Sequence, residues 1–188
     1  MDIELTDGSV GIRRFRADDA RPLYEAVRES LPELLAWMPW AHPDYAFEES
    51  LAWVGERGRV WDEGTDYACA VFEPPTGRFL GVIGLNKVDR IHMYANLGYW
   101  VRSGATRRGV ASTAARLMAR LGLGQLGFQR LEIVAAVGNR ASQRVAEKAG
   151  AKREGVLRKG LRYHGVAHDA VLYSLVAEDL EDLNAAGG

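Results

Sequence analysis

The sequence has a single cysteine, Cys69, among 188 residues, so no intrachain disulfide can form. That usage fits a reducing, cytoplasmic setting. No apolar run approaches the ~20 residues that a membrane-spanning helix needs, so no membrane partner is expected. The opening residues MDIELTDGSV are acidic and poor in apolar side chains, unlike a secretory signal. No G-x-x-x-x-G-K-[ST] loop is present, which removes support for nucleotide hydrolysis. His164 and His168 are four apart but flank Gly165 in a hairpin-turn pattern, and no cysteine or acidic cluster completes a metal site. No metal is therefore expected. There are no repeats and no linker, and the length suits one domain over residues 1–188.

What is present is the balance of a globular chain, 47% apolar and 26% charged. The charge is segregated. Residues 102–162 hold 14 Lys or Arg against 3 Asp or Glu, while the remainder holds 10 against 22. An anionic ligand near the basic part would explain this, either nucleic acid or a phosphorylated cofactor. Long-range pairing between the two parts is the alternative. No interleaved aromatic platform supports nucleic acid.

Helices fall between strands, and a hairpin ends the pattern. VGIRRFRADDARPLYEAVRES reads as strand, turn and helix, with Asp18 or Asp19 as the cap. Leu31 to Ala46 holds three prolines and two tryptophans, too many prolines for one helix. The next helix places Phe47, Leu51, Val54 and Trp61 on one side. Two strands join at a Pro-Pro-Thr-Gly turn, and a third runs from His92 to Val101. A helix then reaches about Leu123, and FQRLEIVAAV alternates with Leu131, Ile133, Ala135 and Val137 on one face. A short helix is capped by Asn139 and ended by Gly150, and the last hairpin turns near His164–Gly165. The fold class is α+β with a sheet of mixed direction.

GLGQLG, Gly122 to Gly127, matches G-x-G-x-x-G, but it follows a helix and precedes a strand. A dinucleotide fingerprint needs the reverse order, so this is a helix end and loop. Cys69 alternates with Tyr67 and Val71 in an apolar strand and reads as an inert core thiol. The informative junction is GYWVRSGATRRGVASTAARLM, Gly98 to Met118, where a strand becomes a helix. Gly104 and Gly109 permit positive φ, so successive N–H groups can curl toward one point. The following helix adds its free N–H groups and positive dipole end, and Arg107 and Arg108 add two charges. Together they form a pyrophosphate cradle; the alternative is a plain loop with solvated arginines.

TRRGVA, Thr106 to Ala111, resembles the [Q/R]-x-x-G-x-[G/A] acetyl-CoA pyrophosphate loop of the GNAT N-acetyltransferases, with Thr106 in place of the usual Gln or Arg. NLGYWV resembles that family's central strand, although Asn96 stands where many relatives carry Glu. NRASQRVAEKAGAKREGVLRKG, HDAVLYSL and LPELLAWMPWA are similar to the branch containing the ribosomal-protein alanine and serine N-acetyltransferases. The resemblance implies a mostly antiparallel sheet, split where two parallel central strands splay, with helices on both faces. It implies acetyl-CoA, or another short acyl-CoA, held by Trp100, Val101, Arg102, Thr106, Arg107, Arg108, Gly109, Val110, Ala111, Ser112, Asn139 and Ser142. It also implies Ser142 as the group that protonates or hydrogen-bonds the leaving thiolate, and it is compatible with a homodimer.

Acyl transfer needs a deprotonated amine, a donor for the oxyanion and a partner for the thiolate. The oxyanion donor is expected near Trp100 to Arg102. Trp37, Trp40, Asn96 and Tyr163 are expected on the acceptor side. Glu25, Asp44, Glu48 and Tyr163 are the candidate bases, with water as a relay. The expected acceptor is a protein N-terminal α-amine, such as that of a ribosomal protein. A small-molecule amine (aminoglycoside or polyamine) and a non-catalytic acyl-CoA sensor are the competing readings.

Overall fold

Strict alternation along the central strands sorts their side chains onto two faces, and each face takes its own helices. The computed structural model describes residues 3–180. In chain order they form β1 (Glu4–Thr6), β2 (Gly11–Arg14), α1 (Ala20–Glu29), α2 (Leu31–Trp37), α3 (Phe47–Asp62), β3 (Tyr67–Glu73), β4 (Arg78–Asp89), β5 (Tyr94–Val101), α4 (Val110–Ala119), β6 (Arg130–Ala136), α5 (Arg140–Lys148), β7 (Lys152–Tyr163) and β8 (Val166–Leu175). The strands make one sheet in the order β1-β2-β3-β4-β5-β6-β8-β7. All neighbours are antiparallel except β5 and β6.

One face of the sheet packs Cys69, Ile83, Leu97, Leu131, Ile133 and Tyr173 with α4 and α5. The other face packs Ala70 and Val82 with residues of α1, α2 and α3. The α+β class and the splayed mixed sheet are as the sequence implied.

Three local expectations need correction. Leu51 does not join the buried side of α3; it is 52% exposed, and the buried stripe is Ser50, Val54, Arg57 and Trp61. Ser50 can be buried because its hydroxyl bonds Tyr45 Oη at 2.9 Å. Asp19 precedes α1, but its carboxylate does not cap that helix. It instead accepts from Arg16 N–H at 2.7 Å and from both Arg13 guanidinium nitrogens at 2.6 and 2.7 Å. Val137 lies past the end of β6 and is exposed.

The helix before β6 ends differently from an ordinary α-helix. After Ala119 it widens into a π-helical stretch, Arg120–Gln125. Gly122 is required there, because a Cβ would stand 2.8 Å from Leu85 Cδ1. The G-x-G-x-x-G letters are thus a helix end and loop, as their order along the chain implied.

On the far side of the sheet, Arg130 donates to Glu132 at 2.9 Å and to both Glu154 oxygens at 2.6 and 2.7 Å. Arg130 first, then the Ser174 hydroxyl, hold the Glu154 carboxyl down to about 2. The folded value lies below the unfolded one of ~4.3, so this stabilisation is present above the unfolded value and lost as pH falls toward about 2. Glu154 is a surface group, so the effect is small. Glu154→Gln should flatten the acid-side decline of Tm between about pH 5 and pH 2. An equally steep decline in thermal melts would contradict the assignment.

Candidate active site at the β5–β6 split

Strands β5 and β6 pair only at Tyr94–Arg130, Ala95–Leu131 and Asn96–Glu132. Beyond Asn96 each continues with its outer partner alone, β5 with β4 and β6 with β8. The sheet therefore opens at its centre, between Leu97–Val101 and Ile133–Ala136.

A cavity of about 690 Å³ occupies this opening. Its lining includes Gly98, Trp100, Val134 and Ala136 from one sheet face, and Tyr99, Ile133 and Ala135 from the other. The cavity thus passes through the sheet. Ala68, Gly84 and Gly98 lie side by side in register and give it a small-residue floor. The expected acceptor residues Trp37, Trp40, Asn96 and Tyr163 all line it, as do Asn139 and Ser142.

Its acceptor end is roofed by aromatic contacts. Trp37 meets Tyr163 edge-on at 6.1 Å, and Trp40 lies 6.2 Å from Trp100. The β7–β8 turn is fixed to α2 by His164 Nε2–H, which donates to Leu35 O at 2.6 Å. His168 stacks on Tyr163 at 3.9 Å. These two histidines therefore serve the roof.

The other end is built by α5. Asn139 caps it, accepting from Ser142 N–H at 3.0 Å. The Tyr99 phenol, reaching over from β5, donates to Ser142 O at 3.0 Å and lies 3.1 Å from Ser142 Oγ. Burial pushes the Tyr99 phenol up to about 12, so it stays protonated and acts as a fixed partner of Ser142. Sequence reasoning missed Tyr99, because nothing in GYWV marks which aromatic ring crosses to a helix 43 residues away.

The backbone of β5 has a polarity of its own. Arg102 N–H donates to Leu80 O at 2.8 Å, so by alternation Trp100 N–H also points to β4. The peptide groups of Tyr99 and Val101 face the opening instead. Of the expected oxyanion donor region, Trp100 to Arg102, only Val101 faces the opening, joined by Tyr99 just outside it. The Arg102 side chain is likewise turned away: its Nε donates to Glu29 Oε2 at 3.0 Å, and a second guanidinium nitrogen to Phe79 O at 3.0 Å. Arg102 is therefore a brace to α1, correcting its expected place among the cofactor contacts.

The junction after β5 divides into two parts. Ser103–Ala105 is a 3-10 turn stapled to the α1–α2 corner. Ser103 N–H donates to Ser30 Oγ at 2.9 Å, and Gly104 N–H to Glu29 Oε1 at 2.8 Å. Gly104 does not adopt positive φ; a Cβ there would stand 2.9 Å from Glu29 Oε1, so a larger residue would make that carboxylate shift. Thr106 is exposed, and its hydroxyl donates to Ser103 O of the same turn at 2.8 Å. The left-handed residues are Arg107, φ 60°, and Gly109, φ 81°. Val110 packs into the core, and the buried Ser112 hydroxyl donates to Gly109 O at 2.9 Å. Arg108 pairs with Glu73 at 3.5 Å, while Arg107 and Ala111 carry no such brace among the described residues.

This second part fits a polyanion. The first-turn N–H groups of α4 have no intrahelical acceptor, and the left-handed pair curls the preceding ones beside them. A Cβ on Gly109 would meet nothing within 4 Å, so the space over the loop is open.

Residues 9–152 match the family described as "Acetyltransferase (GNAT) domain". The chain is a GNAT acetyltransferase. It is 35% identical to YdaF of Bacillus subtilis, provisionally named a ribosomal N-acetyltransferase, over 92% of this chain and 93% of YdaF. A Vibrio cholerae structure, provisionally named a ribosomal-protein-serine acetyltransferase, superposes with a TM-score of 0.80 at 26% identity, covering 93% of this chain and 97% of that one. Mycobacterium smegmatis RimJ, solved with CoA-disulfide, superposes at 0.83 with 22% identity, over 99% and 94%, and speaks to the fold alone. The acetyltransferase belongs with the RimJ/RimL-like branch and uses acetyl-CoA. Among the described residues no group of three potential metal ligands occurs, and no helix is long and apolar enough to cross a membrane.

Some of the charge segregation is neutralised across the fold, by Arg102 with Glu29 and Arg108 with Glu73. Cys69 is fully buried, and burial pushes its thiol up, as an inert core residue requires. Tyr99→Phe removes one hydrogen bond to Ser142 and should lower kcat about fivefold with the acetyl-CoA KM unchanged. An unchanged kcat in steady-state assays would separate Tyr99 from the chemistry.

Proposed function

We propose that this acetyltransferase acts on the α-amine of a protein N-terminus, as one domain spanning residues 1–188 in the cytoplasm. The observation that carries this reading is the single cavity running from the Trp37–Trp40–Tyr163 roof through the sheet to Ser142. It lets an acceptor enter from the α1–α3 face and meet a donor on the α5 face. An α-amine, with a pKa of ~7.7–8.0, offers a useful neutral fraction at neutral pH without a strong base.

When bound, acetyl-CoA supplies the electrophilic thioester carbon and the thiolate leaving group. The N–H groups of residues 107–112, with Arg107 and Arg108, hold its pyrophosphate. Asn139 and the open edge of β5 near Trp100 hold its pantetheine arm. The N–H of Tyr99 or Val101 faces the place where negative charge develops on oxygen. Ser142 Oγ, oriented by Tyr99, hydrogen-bonds the departing sulfur.

A small amine is the second reading, favoured by a cavity volume within the ~300–1,000 Å³ common for small-molecule sites. The two are separated by thiol release from acetyl-CoA across alanine- and serine-initiated peptides, an N-terminally blocked peptide, spermidine and an aminoglycoside. The highest kcat/KM is expected with the free α-amine peptides and none with the blocked one. Faster turnover of the polyamine or aminoglycoside would overturn the peptide reading.

A further inference from the structure

The base is the missing part of the site. Glu25, Asp44 and Glu48, the carboxylates expected to serve, do not line the cavity. Two other carboxylates do, Glu49 and Asp66. Glu49 is engaged at both oxygens, accepting from Ala46 N–H at 2.8 Å and facing His42 Nε2 at 2.9 Å. Asp66, at the entrance to β3, is also partnered, by Arg57 on α3 at 3.4 Å and by the Ala68 N–H, but it is less exposed than Glu49 and continues the register of the cavity's two asparagines.

Register gives Asp66 its direction. Tyr67 pairs with Leu85 and Asn86 pairs with Asn96, so Asp66, one residue before β3, continues the row of Asn86 and Asn96. All three line the cavity, on the face from which the acceptor enters. Asn96 Nδ2–H donates to Asn86 Oδ1 at 2.9 Å, which leaves Asn96 Oδ1 and the Asn86 amide hydrogens to other partners. The row ends at the β5–β6 opening. Its next member, Glu132, is bound to Arg130 at 2.9 Å and does not line the cavity. Two strand spacings put the backbone of Asp66 about 10 Å from that of Asn96.

We propose that Asp66 is the proton acceptor for the incoming amine, acting through water held along Asn86 and Asn96. The ammonium N–H bond breaks, its electron pair stays on nitrogen, and the proton passes through water to an Asp66 carboxylate oxygen. The neutral carboxyl group then returns the proton to solvent. Arg57 from α3 pairs with this carboxylate, and the other charged groups lining the same cavity are Glu49 from α3, Lys87 from β4 and Arg162 from β7. Burial raises the Asp66 carboxyl above its ordinary value against the opposing pull of Arg57 and the Ala68 N–H.

The inference rests on amine acetylation but not on which amine is used. The test compares wild type, Asp66→Asn and Asp66→Glu on two acceptors. One is an alanine-initiated peptide. The other is the same peptide begun with an aza-residue, whose terminal nitrogen is a semicarbazide and uncharged at neutral pH. If only small amines turn over, spermidine and semicarbazide replace the pair. Asp66→Asn should lose at least about tenfold in kcat on the ordinary amine and less than about threefold on the uncharged nitrogen. Asp66→Glu should recover part of the loss, and CoA binding by calorimetry should stay within about twofold of wild type. Equal losses on both nitrogens, or a change confined to acceptor KM, would overturn the assignment. Failure of wild type on every peptide would sink the α-amine reading alone.

Discussion

Ser142→Ala is expected to lower kcat by about 10²-fold while leaving the KM for acetyl-CoA within about threefold. The size follows from what surrounds the hydroxyl. Ser142 N–H is tied to Asn139 Oδ1, so the residue is fixed in the first turn of α5. Its Oγ is 3.1 Å from a phenol that has one proton to give. When that proton goes to Ser142 O, the serine hydroxyl points at Tyr99. When it goes to Ser142 Oγ, the serine proton is free to face the departing sulfur. The second arrangement becomes favourable as charge develops on sulfur, which places the interaction in the transition state. Loss of such an interaction lowers kcat and kcat/KM together. An unchanged kcat would leave Ser142 as a polar helix residue.

The double variant Arg107→Ala/Arg108→Ala is expected to raise the KM for acetyl-CoA about 10²-fold with kcat within about threefold. Each charge-assisted contact is worth about 1.5–3 kcal/mol, so two lost contacts reach that range even after discounting for solvent. The discount falls mainly on Arg108, which is half exposed and already pairs with Glu73. Arg107 should dominate, because its left-handed backbone belongs to the curl itself. Calorimetry of CoA binding checks this directly. Unchanged binding would mean that the N–H groups of residues 107–112 hold the pyrophosphate alone.

Much of the candidate site's geometry was legible in the sequence because its parts are local. The Thr106–Ala111 loop and the Asn139–Ser142 cap are each one turn of chain, where backbone need and residue type coincide. Trp37, Trp40, Asn96 and Tyr163 were placed on the acceptor side and do share one cavity. Arg102 was misplaced because its role is set by Glu29, which is 73 residues earlier in the chain and packs onto it only in the fold. Gly104 suggested a positive φ, whereas its φ is ordinary and its nearest neighbour is the same carboxylate. Asp66 gave no signal, since an aspartate before a strand reads as turn chemistry until the registers of β3, β4 and β5 align it with two asparagines. Leu51 shows the same limit in the fold: hydrophobicity alone put it inside, but Ser50 and Arg57 occupy the buried stripe by finding polar partners.

The most direct measurement is the position of the transferred acetyl group. A peptide with a free N-terminus and one internal lysine is incubated with acetyl-CoA, and the product is mapped by fragment-ion mass spectrometry. Acetyl on the terminal α-nitrogen, with the lysine unmodified, is the predicted result. Acetyl confined to the lysine, or no acetylated peptide beside rapid modification of a small amine, would contradict it.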